Sequence, residues 1–150
     1  MTEIDTINAQ ILRTLESDGR ISNTDLAMQV GLSPSACLRR VQELERTGLI
    51  KGYRAVLDRS QLGGAVTVFV MVGLSGHLRR DAAAFEAAML AAPEVRECHN
   101  VTGSVEYLLR VEVNDLEAYK RFHSDTLGRV SQVASITSYI ALASPKDLRA

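Results

Sequence analysis

Residues 30–53 read VGLSPSACLRRVQELERTGLIKGY, and this stretch decides the fold of the N-terminal third. Ser33 suits a helix N-cap, because its hydroxyl can accept from a free amide of the first turn. Pro34 then takes the first helical position, where no N–H is needed. Gly48 closes the helix, and inside it Cys37, Val41 and Leu44 recur at i, i+4 and i+7 as a buried stripe. Upstream, Ser22 or Asn23 caps TDLAMQV, whose Leu26, Ala27 and Val30 share a face, with Gly31 at the C-terminal cap. Further out, Ile4, Ile7, Ile11, Leu12 and Leu15 follow helical spacing until Gly19. Two short helices joined by VGLS form the helix-turn-helix pattern.

The second helix of such a pair enters the major groove with its early residues on the base edges. Burying the Cys37 stripe turns two rows outward, Ser35, Arg39, Gln42 and Ala36, Arg40, Glu43. Small groups early and two arginines later suit close approach to a groove and a grip on phosphates. With the cap residue, the candidate DNA-contacting set is Ser33, Ser35, Ala36, Arg39, Arg40 and Gln42. After Gly48, LIKGYRAVLD alternates like a strand, giving a small wing or the exit from the domain. Lys51 and Arg54 there either touch phosphates or are the snorkelling ends of a strand.

Charge agrees with that placement. Net charge is only -1, so no global basic field marks a nucleic-acid partner. The distribution is uneven, however. Up to Leu38, Arg13 and Arg20 face five acidic residues, whereas Arg39 to Arg59 holds six basic residues against Glu43, Glu45 and Asp58. A basic segment in an otherwise acidic chain, coinciding with the outward helix, reads as a phosphate-facing element.

Composition bounds the rest. An apolar share of 46% with 23% charged residues is that of a globular chain. The longest apolar stretch, Val66 to Leu74, is broken by Thr67 and Gly73 and is too short to span a membrane. The acidic start MTEID does not read as a secretory signal, and a cytoplasmic protein is expected. Cys37 and Cys98 lack CxxC or histidine partners at metal spacing, which argues against a disulfide scaffold or a zinc site. Cys37 falls on the apolar stripe and reads as a small buried hydrophobe.

Beyond Asp58–Gly64 (DRSQLGG), a linker by its glycine and polar content, the period changes. VTVFVMVGL is a β-branched strand, RRDAAAFEAAML a helix, VRECHNVTG and EYLLRVEV two strands joined at Gly103–Ser104. NDLEAYKRFHSDTL is a helix capped by Asn114 or Asp115, and VASITSYIAL a last strand. The order βαββαβ is that of a ferredoxin-like sandwich, so the chain is expected to be α+β. The expected domains are 1–52 (winged helix-turn-helix), 53–64 (linker strand) and 65–150 (ferredoxin-like). Apolar residues on both alternations of the first strand argue that both sheet faces are covered, most economically by a homodimer packed sheet to sheet.

Enzyme readings lack parts. His77, His99 and His123 are scattered, with no paired carboxylate, nucleophile elbow or phosphate loop near them. His123 reads as a surface residue, and His99, in a strand beside the turn, as lining a pocket or as core or surface. The Gly103 turn is a place where backbone can approach a ligand, and equally a simple turn. Tyr107 and Tyr139 read as core or interface residues.

The sequence closely resembles the Lrp/AsnC family, the leucine-responsive and feast/famine regulators, from Ile4 to about Lys146. IDTINAQILRTLESDGRIS, LAMQVGLSPSACLRRVQELERTGLIKGYRAVLD, VTGSVEYLLRVEVNDLEAY and TSYIAL carry the likeness, with SPSACLRRV and GLIKGY the most specific. The resemblance implies a winged helix-turn-helix, a ferredoxin-like ligand-sensing domain, dimers through that domain and octamers that wrap double-stranded DNA. It implies no cofactor, but an amino-acid effector bound between dimers near the turn joining the second and third strands. That effector site maps onto Gly103, Ser104, Val105, Glu106 and Tyr107, with His99, Thr137 and Ser138 beside it.

Here the chain departs from the family, which commonly shows Gly-Asp-Tyr-Asp where this sequence has Gly-Ser-Val-Glu. One carboxylate remains, on Glu106, and a missing charge-assisted contact costs roughly 1.5–3 kcal/mol. Two functions therefore stay open, a sequence-specific regulator tuned by an amino acid or related metabolite, and a ligand-independent architectural protein that wraps DNA.

Overall fold

The computed structural model describes residues 4–58, 61, 66–76 and 78–147. The chain divides into two compact units, Met1–Val56 and Leu57–Ala150. Arg59, the 62–64 part of the expected linker, and His77 lie outside the described residues.

The first unit holds α1 (Thr6–Ser17), α2 (Asn23–Gln29) and α3 (Pro34–Arg46). Each begins on a side-chain cap: Asp5 accepts from the Asn8 N–H, Ser22 from that of Asp25 and Ser33 from that of Ala36. These bonds satisfy amides that the helix itself leaves open. Gly31 and Gly48 follow α2 and α3 at φ of 68° and 74°, the left-handed conformation that ends a helix most readily in glycine. Asn23 Nδ2 donates to the Pro34 carbonyl at 2.8 Å, tying the start of α2 to the start of α3. The apolar stripes meet in a core of Ile11, Leu26, Ala27, Val30, Cys37 and Leu44, against which Ile7, Leu15, Val41 and Ile50 pack. Burial pushes the Cys37 thiol up, as expected for a thiol acting as a small core hydrophobe.

Of the two readings of LIKGYRAVLD, a small wing or the exit from the domain, the described residues show no strand. Lys51 to Asp58 carry no ladder and every one of these residues is exposed. The segment alternates, but a strand needs a neighbour to bond, and among the described residues of the first unit no strand pairs with it.

The second unit is a four-stranded antiparallel sheet in the order β2-β3-β1-β4, from β1 (Val66–Leu74), β2 (Val95–Asn100), β3 (Tyr107–Val113) and β4 (Val133–Ile140). Helices α4 (Arg79–Ala91) and α5 (Leu116–Arg121) are the two crossovers, giving the expected βαββαβ sandwich. Asp115, not Asn114, caps α5. The long last helix breaks up after Arg121 into a π turn, Phe122–Thr126, and a 3-10 turn, Leu127–Arg129. One sheet face supplies the core: Val68, Val70, Val72 and Leu74 of β1 and Tyr107, Leu109, Val111 and Val113 of β3, under Phe85, Met89, Tyr119, Phe122 and Leu127. Because successive residues alternate, Phe69, Met71, Leu108, Arg110, Thr137 and Tyr139 fall on the opposite face.

Candidate DNA-reading surface and effector site

On α3 the expected outward residues separate into two groups. Ser35, Arg39 and Gln42 are exposed along one stripe, and Ser33 stands at its head as the cap. Ala36 is half-buried. Arg40 does not stand outward as expected: its guanidinium reaches back to Asp5 Oδ2 at 2.6 Å and Asn8 Oδ1 at 3.0 Å on α1. Asp5 thus joins the Asn8 amide to Arg40, and both bonds hold its carboxyl below the usual range, the amide more strongly. The acidic residues of α3 are likewise tied. Glu43 forms a two-pronged pair with Arg46 at 2.6 and 2.8 Å, and Glu45 accepts from the Tyr53 hydroxyl at 2.9 Å. Lys51 and Arg54 are exposed on the segment that leaves the unit.

The residue that the sequence reading passed over is Leu38. It is 46% exposed and lies at i+3 from Ser35 and i+4 before Gln42, on the same stripe as Arg39. The signal was present, because a leucine next to Cys37 cannot share its buried face at 100° per residue.

In the second unit the turn between β2 and β3 is pinned at its C-terminal end. Glu106 N–H donates to the Val72 carbonyl at 3.2 Å, and Val101 N–H to the Glu106 carbonyl at 2.9 Å. Gly103 sits at φ 140°, a conformation that a side chain there would strain, and Ser104 is exposed beside the half-buried Val105. The Glu106 carboxylate folds back, its Oε2 accepting from Leu74 N–H at 2.7 Å. This happens where the β1–β4 register slips between Gly73 and Leu74, so the carboxylate satisfies an amide beside the irregularity. A Cβ at Gly73 would press on Ser135 Oγ, so that hydroxyl would have to turn aside, and would touch Glu106 Oε2 at 3.7 Å.

Other expected effector residues are not brought together. Tyr107 points to the helix side, 1% exposed, with its ring 4.6 Å from that of Phe85 and its hydroxyl donating to Glu86 Oε1 at 2.6 Å. Burial first, and then the Glu86 carboxylate, push its pKa up to about 12, against a weaker opposing bond from Asn100. Thr137 and Ser138 fall on opposite faces. Ser138 meets the Tyr119 hydroxyl at 2.5 Å on the helix side, while Thr137, opposite Met71, lies on the open face. His99 is exposed on that same open face, with Nε2 3.1 Å from Glu97 Oε2. A cleft of about 350 Å³ is lined by His123, Leu127, Gly128, Val130 and residues 133–136, and the expected effector residues do not line it. It shares Ser135 with the Glu106 end of the sheet.

A second feature went unread. Arg110 is 7% exposed on the open face and is held by Glu112 at 2.8 Å, Asp147 at 2.5 Å and Glu97 at 3.6 Å. The cross-strand pairing of Glu97 with Arg110 was legible from register; Asp147 was not, because no period links it to the strand. Around this cluster Phe69, at 40% exposure, and Tyr139, at 56%, leave apolar surface open. Among the described residues no His, Cys, Asp and Glu are grouped to hold a metal ion, and no helix is long and apolar enough to cross a membrane.

Known proteins match both units. Residues 4–51 fit the winged helix-turn-helix DNA-binding model, and residues 67–150 the Lrp/AsnC ligand binding domain. The Bkd operon transcriptional regulator of Pseudomonas aeruginosa is 46% identical over 96% of this chain and 94% of its own. The leucine-responsive regulatory protein of Salmonella typhimurium is 40% identical over 97% of this chain and 88% of its own. Among solved structures, a transcriptional regulator of Neisseria meningitidis in complex with L-methionine superposes with a TM-score of 0.91 at 32% identity, covering 97% of this chain and 94% of that one. The chain therefore belongs to the Lrp/AsnC family and is a DNA-binding transcriptional regulator, not an enzyme, with a helix-turn-helix unit and a ligand-binding unit.

Proposed function

We propose that this regulator reads its operators with the exposed stripe of α3 and that an aliphatic amino acid, bound at the Glu106 end of the sheet, adjusts its grip on DNA. Arg39 and Gln42, both exposed, would meet base edges or phosphates, Ser33 and Ser35 would let the helix approach, and Lys51 and Arg54 would meet backbone beside the groove. A homodimer packed through the open sheet face would cover Phe69 and Tyr139 and present two copies of α3, so a roughly palindromic site is expected. Further association, as octamers, would place effector sites between dimers in the cytoplasm.

The observation that carries the effector reading is the fixed Glu106 carboxylate. Leu74 N–H holds it in orientation, so it can meet an ammonium group without first being ordered. Gly103 lets backbone approach the ligand closely. The methionine complex of the Neisseria regulator and the names of the leucine-responsive relatives favour an aliphatic side chain on that ligand. Binding across a contact between dimers would change the spacing of the α3 copies, which couples ligand to DNA.

A thermal-shift panel of common amino acids on the full chain tests this. A ligand that binds only the folded state stabilises it by about 2.7 kcal/mol at a hundredfold excess over Kd. A selective shift with leucine, methionine or a close relative is expected. A flat panel from protein that still binds DNA would overturn the effector reading in favour of ligand-independent wrapping.

A further inference from the structure

We infer that Leu38 is a specificity-determining residue that reads the methyl group of a thymine in the major groove. The inference deepens the reading of α3 as the groove helix and rests on it.

Ser35, Leu38, Arg39 and Gln42 stand at i, i+3, i+4 and i+7, so they form one stripe on a straight helix. Three of the four can hydrogen-bond; Leu38 cannot. Nevertheless it lies on the flank of the stripe nearest Val41 with 46% of its surface in solvent and is not part of the core cluster beneath. Once that helix lies in the major groove, what can reward an apolar side chain there is narrow. In the major groove the guanine, cytosine and adenine edges offer only donors and acceptors, and covering them with leucine would strip their water without replacing it. Thymine alone presents a carbon group, its C5-methyl.

Reach agrees with this. Leucine is short, so the helix must sit deep for Leu38 to touch a base. Ser35 and Ala36 in the turn before it are small, and the acidic side chains of α3 are drawn aside to Arg46 and Tyr53. Leu38 thus selects a T·A pair by contact with its methyl and by exclusion of polar edges, while Arg39 beside it supplies charge.

The test uses the full-length protein and a duplex selected by it from a random pool. Each thymine is replaced in turn by deoxyuridine, which removes the methyl and nothing else, and affinity is read by fluorescence anisotropy at fixed salt. The wild type is expected to lose about fourfold at one thymine per half-site, the worth of burying one methyl group. Leu38→Ala should bind the thymine duplex about that much more weakly and be indifferent to uracil there, while Leu38→Met, which keeps an apolar contact, should retain most of the discrimination. If every uracil duplex costs Leu38→Ala the same as the wild type, or if no thymine matters, the assignment is overturned. Arg39→Ala run alongside separates the two layers. Unchanged binding by that variant would remove α3 from the groove altogether and take the assignment with it.

Discussion

The stripe of α3 and the turn before β3 are both short, polar and partly glycine-bounded, yet their side chains are used in opposite ways. On α3, Leu38, Arg39 and Gln42 make no hydrogen bond or ion pair with the described residues, while the acidic neighbours Glu43 and Glu45 are tied elsewhere, as is Arg40. At the turn, the Glu106 carboxylate is bonded to the backbone of β1. A surface that must track a repeating polyanion keeps its groups available and adaptable. A pocket for one small zwitterion gains more from a group whose direction is already set.

That contrast can be tested first at Glu106. Glu106→Gln keeps an oxygen for Leu74 N–H and removes the charge, so the ammonium contact should be lost. The expected cost is roughly 1.5–3 kcal/mol of ligand affinity, read by calorimetry with the amino acid that scores in the thermal-shift panel. An unchanged affinity would separate Glu106 from the ligand.

Tyr107 sharpens the same comparison from the structural side. Its place in the core makes it a stabilising residue, so Tyr107→Phe should cost about 1 kcal/mol of stability at neutral pH and leave effector affinity alone. The folded pKa of about 12 lies above the ordinary tyrosine value of 10.0. The protonated hydroxyl is therefore favoured in the folded state, and its contribution is complete below pH 10 and is lost as pH rises toward 12. Thermal unfolding across that window should show a steeper loss in the wild type than in Tyr107→Phe.

Arg40 gives the smallest effect. Its pair with Asp5 is partly exposed, so water screens it and it contributes little to stability. Arg40→Ala should lower the melting point slightly and weaken DNA binding less than Arg39→Ala at the same salt. Equal losses in DNA affinity, with unchanged melting, would place Arg40 on phosphates and dissolve the distinction between the two arginines.

Much of this was legible in the sequence because its signals are local. Ser33-Pro34 and Gly48 bound α3 by capping chemistry alone, and the alternations in VTVFVMVGL and EYLLRVEV place two strands side by side. Strand parity carries more than these boundaries. Tyr107 alternates with Glu106, and Thr137 with Ser138, so neither pair could share one face of a sheet. The direction of Arg40 was not available, since it depends on where Asp5 and Asn8 arrive from the start of α1. The same holds for Asp147 on Arg110, and for the π turn after Arg121, where Phe122 and Leu127 are both buried in the core.

DNA reading through the exposed stripe of α3 stands or falls at Arg39. Anisotropy titrations of the selected duplex, over a range of salt, compare wild type with Arg39→Ala. The expected result is a loss of roughly tenfold, with the salt slope reduced by about 1 if the contact is to a phosphate, or a relaxed preference at one base pair if it is to a base edge. Identical affinity, slope and preference in the two proteins would contradict the account.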